Sequence, residues 1–407
     1  MMRPASFLSR VENSNCCAGC GLCASLAPDA ISVAMDEKGF IRPKQTSEIS
    51  VSMDTTIAQV CPGITIDGSA SGKNQNLLWG PIIGSRTGHA NDDALRKHAS
   101  SGGVISALAT YLVKSGAVQG VIQVTASSAS PIDNATVRNV TPSEIFDAAG
   151  SRYAPSAPLA KISDHLNAPG PLAFVGKPCD VAALRALARV DARVDSKFPY
   201  MISFFCAGIP SRNATLKIVN QLGLQEEDLA SFRYRGDGWP GFATAVTKDG
   251  QSARMSYADS WGDILSKQVQ FRCKICPDGS GGQADVVCAD AWESDERGYP
   301  KFAETDGRSL ILSRTPRGED LVCRAISEKV IYTEVLDPDQ IARMQPSQAT
   351  RKKQVLSRLM AMNLRGYRTP GYSGLNLKKA AMAAGLAGNL RGFWGTFRRL
   401  KPARKVR

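Results

Sequence analysis

"ASSGGVISALATYLVKSGAVQGVIQVTA", residues 99–126, changes its apolar rhythm twice, and that change decides the fold class. A Ser-Ser-Gly-Gly turn leads into apolar residues at helical spacing, Gly116 stops the run, and "VIQVT" follows as a short apolar strand. "GPLAFVGKPCDVAALRALARV" (170–190) repeats the logic as strand, loop and helix, and "FPYMISFFCAGIP" (198–210) is another buried strand ending in a loop. Strands alternating with helices predict an α/β core. From about 222 to 300 the text turns aromatic and Gly-rich, with shorter strands and loops, so the whole chain reads as α+β around that core.

Four parts follow. Residues 1–70 form a small Cys- and Gly-containing module, expected to be ferredoxin-like, and end in the polar linker "DGSASGKNQN" (67–76). Residues 78–220 are the α/β core, 221–345 a second core part carrying a C-x2-C pair and substrate loops, and 346–407 a helical, basic C-terminal tail. At 407 residues with 43% apolar content the chain can bury the core that two or three domains need.

The net charge of +13 is not evenly spread. Residues 351–407 hold 15 Lys and Arg and no acidic residue, leaving the first 350 residues close to neutral. A tail of this kind attracts polyanions: an anionic membrane surface, nucleic acid or an acidic partner. We expect no nucleic-acid function, since the body carries no basic excess. Its end, "NLRGFWGTFRRLKPARKVR", interleaves Phe393, Trp394 and Phe397 with arginines, which suits either a short interfacial helix or a solvated, disordered terminus. "MMRPASFLSRVENS" has no signal-type apolar stretch and no segment offers about 18 uninterrupted apolar residues, so the expected location is cytoplasmic, with peripheral contact at the inner membrane face open to the tail.

Eleven cysteines in a reducing compartment argue for metal rather than disulfides. In "NCCAGCGLCASLAP" (15–28), Cys17, Cys20 and Cys23 match the first three places of the ferredoxin run C-x2-C-x2-C-x3-C-P, but Ala27 replaces the fourth. The fourth cysteine of such a run serves the other cluster, so the first still needs a remote Cys-Pro, which Cys61 and Pro62 of "QVCPG" supply. We therefore expect one 4Fe-4S cluster on Cys17, Cys20, Cys23 and Cys61, with Cys16 a bystander. A four-cysteine zinc site is the rival, but its usual signature is two C-x2-C pairs, and a C-x2-C-x2-C triplet is awkward for tetrahedral zinc.

Cys179 in "GKPCD", Cys206 in "FFCAG", and Cys273 and Cys276 in "FRCKICPDG" are the other informative cysteines. The core can bring them to one sheet edge for a second cluster, with Cys179 at a helix N-terminus that favours a thiolate. Alternatively Cys179 and Cys206 are core residues and only the C-x2-C pair binds anything. Cys288 and Cys323 stand in no metal spacing.

Ser100, Ser101, Gly102 and Gly103 precede a helix and can hold a phosphate there, or simply cap it. Ser151, Arg152 and Tyr153 in "GSRYAPS" offer a phosphate and ring contact, or form an ordinary loop. The three histidines, His89, His98 and His165, stand in no triad or paired metal spacing. Asp237, Asp285 and Asp290 are the acid-base candidates, with turn capping as the alternative role.

"CAGCGLC", "CPG", "RKHASSGGVISAL", "GSRYAPS", "VGKPCDVAALR", "FFCAG" and "CKICPDGSGGQADVVCADAW" occur in this order, and as an ordered set the sequence resembles the coenzyme F420 hydrogenase/dehydrogenase beta-subunit family, which is related to 7-hydroxymethyl chlorophyll a reductase. The resemblance implies FAD in the α/β core beside the Ser-Ser-Gly-Gly turn and the Gly-Ser-Arg-Tyr segment, with Lys177 in the same set. It also implies a 4Fe-4S cluster at Cys179, Cys206, Cys273 and Cys276. "YRGDGWPG" and the basic tail resemble a subgroup associated with bacterial cell-surface polysaccharide gene sets. The expected protein is an iron-sulfur flavoprotein oxidoreductase that takes electrons from a ferredoxin-like donor or reduced deazaflavin and delivers them to a small organic substrate. A non-catalytic electron-transfer subunit is the alternative, and an interaction protein with structural zinc a third; the aromatic, acidic loops around Trp239 and Trp292 would be superfluous in a pure relay.

Overall fold

A computed structural model describes residues 6–68, 75–293, 295, 301 and 303–403. Its centre is an eight-stranded mixed sheet. The strands are β1 (Gly84–Ala90), β2 (Val121–Ala126), β3 (Asn134–Asn139), β4 (Ala173–Gly176), β5 (Tyr200–Phe204), β6 (Val286–Asp290), β7 (Ser309–Ser313) and β8 (Ile331–Val335). They lie in the order β8-β1-β7-β6-β5-β4-β2-β3. The four middle strands β6, β5, β4 and β2 are parallel, and the flanking pairs are antiparallel. The α/β expectation therefore holds for the middle of the sheet, and antiparallel edges make the whole α+β.

Successive residues of the parallel strands enter opposite cores, as a period of two requires. Val121, Val175, Ile202 and Val286 pack with helix α1 (Val104–Lys114) and helix α3 (Pro316–Ser327). Ile122, Phe174, Met201 and Val287 pack on the other face with helix α2 (Pro178–Leu187). Leu108 and Leu112 of α1 are fully buried, and each contributes about 1.5–3 kcal/mol by leaving water. Gly103, at φ +74, forms the N-cap of α1, and Gly116, at φ +70, follows its end. Pro178 opens α2, whose Asp180 carboxylate accepts the Lys177 backbone N–H at 3.0 Å.

Residues 6–67 form two helices, a hairpin (Ile31–Met35 with Ile41–Gln45), the helix Val51–Val60 and the strand Thr65–Asp67. Residues 69–74 of the expected linker lie outside the described residues. The module is fastened to the core: the Leu159 N–H reaches the Cys20 carbonyl at 2.9 Å, and the Ser163 N–H reaches Ser25 Oγ at 2.8 Å. A three-stranded antiparallel sheet (Leu229–Arg233, Ala243–Thr247, Ser252–Met255) supplies the short strands expected between 222 and 300.

The boundary drawn at 346 does not separate these segments in space. Helix α4 (Pro346–Leu364) lies against the core, where Arg351 donates to the Cys206 carbonyl at 2.6 Å and Lys352 to that of Pro277 at 2.7 Å. Gly371–Ser373 then pairs in parallel with Thr65–Asp67. Of the segment 389–407, weighed as an interfacial helix or a solvated terminus, the residues up to Arg399 belong to helix α5 (Gly385–Arg399), packed on α4, and residues 404–407 lie outside the described residues.

Candidate functional site

Each parallel strand of the centre runs toward one cavity of about 1030 Å³. Lys177 follows β4, Phe205 and Cys206 follow β5, and Asp290 ends β6; all four line it, together with the turn before α1 and the first turns of α4. Carboxyl ends of parallel strands are where open α/β sheets bind ligands. The volume is at the upper end of small-molecule and cofactor sites.

Ser100, Ser101, Gly103, Ser151, Arg152, Tyr153 and Lys177 all line the cavity, and Gly102 lies just behind. Several of their polar atoms are committed to the fold. Ser100 Oγ donates to the Arg235 carbonyl at 3.0 Å and accepts the Ser151 N–H. Ser101 Oγ donates to the Arg308 carbonyl at 3.1 Å. Gly102 donates its N–H to Ser309 Oγ at 3.0 Å, and a Cβ there would stand 2.7 Å from the Gly88 carbonyl oxygen. The Arg152 guanidinium is shared among Asn134 Oδ1 and the carbonyls of Phe232, Pro131 and Asp133 at 2.8–2.9 Å, so its fork holds the loop.

Lys177 is different. It is 4% exposed, and its Nζ meets Asp180 Oδ2 at 2.8 Å and Ser156 Oγ at 3.0 Å. Burial pulls its ammonium down, but Asp180 and then Cys179 more than offset that, so the group is held above the usual lysine range. Asp180 is fully buried, its carboxyl is pushed up by burial, and its Oδ1 has no hydrogen-bond partner. Trp292, from one of the aromatic loops noted in the sequence, lines the cavity, and the sequence did not single out the Arg235, Tyr257, Trp261 and Arg351 that complete this aromatic and cationic wall.

Cys17, Cys20, Cys23 and Cys61 surround a small separate cavity of about 30 Å³. Burial raises each thiol, pushing Cys61 up to about 12, with Cys17 adding to the effect. The Gly19 N–H points at Cys17 Sγ at 3.4 Å. Cys16 is fully buried but its Sγ turns to the Ser14 carbonyl. Among the described residues no three His, Cys, Asp or Glu side chains close on one point as around a single metal ion; these four thiols border a cavity instead.

Cys179, Cys206, Cys273 and Cys276 are gathered as a second set. Burial pushes Cys206 up to about 12, with Cys273 and Cys276 adding to it, and Cys179 is raised first by burial and then by Asp180, Cys206 and Cys273. The Ile209 N–H and Gln270 Nε2 both reach Cys273 Sγ at 3.4 Å. Cys288 is a buried strand residue on the cavity wall, and Cys323 is exposed.

Arg272 stands between the two sets. It is 2% exposed, its Nη2 donates to the Pro62 carbonyl at 2.8 Å, beside Cys61, and its guanidinium lies 5.6 Å from the Tyr372 ring centre. Burial works against its charge, but Tyr372, Cys276, Cys179 and Cys16 outweigh it. Among the described residues it has no carboxylate partner. Gln270 bridges the same gap, with Nε2 within 3.5 Å of the Ala18 carbonyl as well as at Cys273.

Of the three carboxylates read as acid-base candidates, only Asp290 reaches the cavity. It is held by Arg235 through two bonds of 2.8 and 2.7 Å and by Trp239 Nε1 at 2.7 Å. Trp239 and Trp292 stack at 4.5 Å, and Arg235 lies over Trp292 at 5.0 Å. Asp237 sits away from the cavity, 59% exposed and paired with His98 at 3.1 Å and Arg233 at 3.3 Å. Asp285 is structural: it accepts from the Met201 N–H, Thr315 Oγ1 and Arg185.

The fold and site define a cysteine-rich α/β protein with a cofactor-sized cavity at the carboxyl ends of its parallel strands, bordered by Cys206 of one thiol set, and with the other set around a separate small cavity. The chain belongs to the coenzyme F420 hydrogenase/dehydrogenase beta subunit family: residues 86–163 match its N-terminal part and residues 171–339 its C-terminal part. It is 24% identical over 389 residues to a coenzyme F420-dependent sulfite reductase of Methanocaldococcus jannaschii, an alignment that covers 90% of this chain and 55% of that protein. The chain thus spans about half the length of that relative. It is 26% identical over 261 residues to the coenzyme F420 hydrogenase subunit beta of Methanococcus voltae, covering 61% of this chain and 82% of that one. In fold it is similar to a chain of the F420-reducing NiFe hydrogenase complex from Methanosarcina barkeri, with a TM-score of 0.57 at 18% identity over 74% of this chain and 98% of the other.

Proposed function

We propose that the chain is an iron-sulfur flavoprotein oxidoreductase: Cys17, Cys20, Cys23 and Cys61 would hold one 4Fe-4S cluster, Cys179, Cys206, Cys273 and Cys276 a second, and the large cavity FAD. The observation that carries the reading is Arg272, a buried guanidinium without a carboxylate, between two groups of buried thiols. A buried cation costs several kcal/mol unless something anionic compensates it. Two thiolate-bound clusters would be that compensation, and four sulfur donors in each set suit iron-sulfur chemistry. When bound, the clusters exchange electrons singly and the flavin singly or in pairs.

The protein's own part is binding and orientation. Lys177 would face the anionic portion of the flavin nucleotide, supported by Ser156 and Asp180. Tyr153 with Trp261 and Tyr257 with Trp292 bring two pairs of aromatic rings to the cavity lining, against which a flat organic ring could pack. Arg235 and Asp290 fix that wall rather than exchange protons. Such a wall serves an organic substrate, which favours an enzyme over a pure relay. The donor in this reading is a ferredoxin-like protein or a reduced deazaflavin, and the substrate a precursor of cell-surface polysaccharide.

Anaerobic purification with iron, sulfide and flavin quantified per chain tests the proposal. About eight irons and one FAD are expected; about four irons would remove one cluster, absence of flavin would defeat the flavoprotein reading, and a protein colourless in the visible would leave zinc.

A further inference from the structure

We propose that helix α5 docks the protein on an anionic lipid surface through one exposed face, independently of the redox reading. Its inner face is small or apolar and closes on α4: Gly392, Thr396 and Leu400 are buried, and a Cβ on Gly392 would stand 2.7 Å from Ser357 Oγ. Arg365 of the following turn donates to the Phe397 carbonyl at 3.1 Å and stacks on its ring at 3.5 Å, which pins the helix in rotation.

That rotation turns the wrong residues outward for a solvated helix. Leu386 is 79% exposed, Leu390 47% and Trp394 50%, at four-residue spacing along one stripe, with Met382 81% exposed in the turn before. Phe393 and Phe397 stack beside Trp394, extending the stripe along its edge. An apolar run of this length on a well-packed helix is not a folding requirement, since α4 is already satisfied on the other side.

The charge around the stripe names the occupant. Arg391 and Arg398 lie along one side of it, Lys378, Lys379, Arg399 and Lys401 are exposed on the same segment, and residues 351–407 contain no Asp or Glu. An apolar face edged by cations, with Trp near the boundary, suits the headgroup region of a bilayer carrying acidic lipids. No helix among the described residues is long and apolar enough to cross a membrane, so the contact is one of lying on the surface.

Co-sedimentation of the full chain with phosphatidylcholine vesicles, and with vesicles containing one-third phosphatidylserine, tests this. Binding is expected on the acidic vesicles alone and should weaken with salt. Leu386→Glu with Leu390→Glu changes only outward positions, so far-ultraviolet circular dichroism and iron content should be unchanged while binding falls about tenfold or more. Equal sedimentation of variant and parent overturns the proposal, as does equal binding to neutral vesicles. It also falls if neither protein binds vesicles and gel filtration shows a parent dimer that the variant dissolves, because the stripe would then bury a second copy.

Discussion

Replacing Arg272 by Met removes one positive charge from between the thiol sets and keeps most of the volume. A unit charge about 8 Å from a cluster, at an effective dielectric of about 20, is worth about 2 kcal/mol. For a one-electron couple that is about 90 mV, because a tenfold change corresponds to about 59 mV. Reduction adds negative charge, which Arg272 favours, so the midpoint potentials of both clusters should become more negative by roughly this amount. Arg272→Lys keeps the charge but loses the fork that reaches the Pro62 carbonyl through Nε at 3.3 Å and Nη2 at 2.8 Å, so its potentials should stay near the parent's. Redox titration followed by electron paramagnetic resonance, on preparations of matched iron content, reads both. Unchanged potentials in a fully loaded Arg272→Met protein would refute the electrostatic argument, and a protein without iron would refute the cluster assignment itself.

Cys61→Ala should lose about half the iron of the parent and Cys16→Ala none, by iron assay after anaerobic purification; equal iron in the first would mean that another side chain completes the set. Asp290→Asn leaves the 1% exposed Arg235 undercompensated, and urea unfolding should show a loss of about 3–5 kcal/mol. Glu319 is held low chiefly by Arg86, whose Nη1 lies 2.9 Å away. Its contribution is therefore present above the unfolded carboxylate's pKa and lost as pH falls through the lower folded value, so between about pH 5 and about pH 3 the parent's melting temperature should drop more than that of Glu319→Gln. Lys177→Met should weaken FAD binding and Asp180→Asn strengthen it, in equilibrium dialysis of the deflavinated protein; a loss in both would make the pair a structural brace only.

What could be read from the sequence was local. The helix-to-strand switch at 99–126 appears as α1 and β2 because Leu108, Leu112, Val121 and Ile122 carry their periodicity within a few residues. β1, "GSRTGHA", has no such pattern. It becomes a strand because β7 and β8 pair with it on both sides, and Gly88 is needed where a Cβ would stand 2.0 Å from the Tyr332 carbonyl oxygen. Spacing and the proline after Cys61 single out the first cysteine set, while the second is grouped only by the resemblance. Arg272, Arg351 and Lys352 were not legible, because a cation in a basic tail or beside a Cys-x2-Cys pair reads as surface until topology buries it. Asp237 and Asp290 looked alike in sequence, and tertiary packing alone sends one outward to His98 and Arg233 and the other to the cavity wall.

The fixed charges also explain why the N-terminal module is docked rather than tethered. Asp180 raises the thiols of both Cys20 and Cys179, so it stands within range of both sets, and Lys177 neutralises it from the cavity side at 2.8 Å. Arg272 touches the module at Pro62 while its neighbour Cys273 belongs to the core set. A module free to swing would uncover Arg272 and leave Asp180 facing a single thiol group. The backbone bond from Leu159 to Cys20 at 2.9 Å and the strand pair of Thr65–Asp67 with Gly371–Ser373 hold it from two further directions. In the proposed reading electron transfer depends on the distance between the two thiol sets, and the chain holds that distance through the Arg272 and Leu159 hydrogen bonds and this strand pair rather than through the length of a linker.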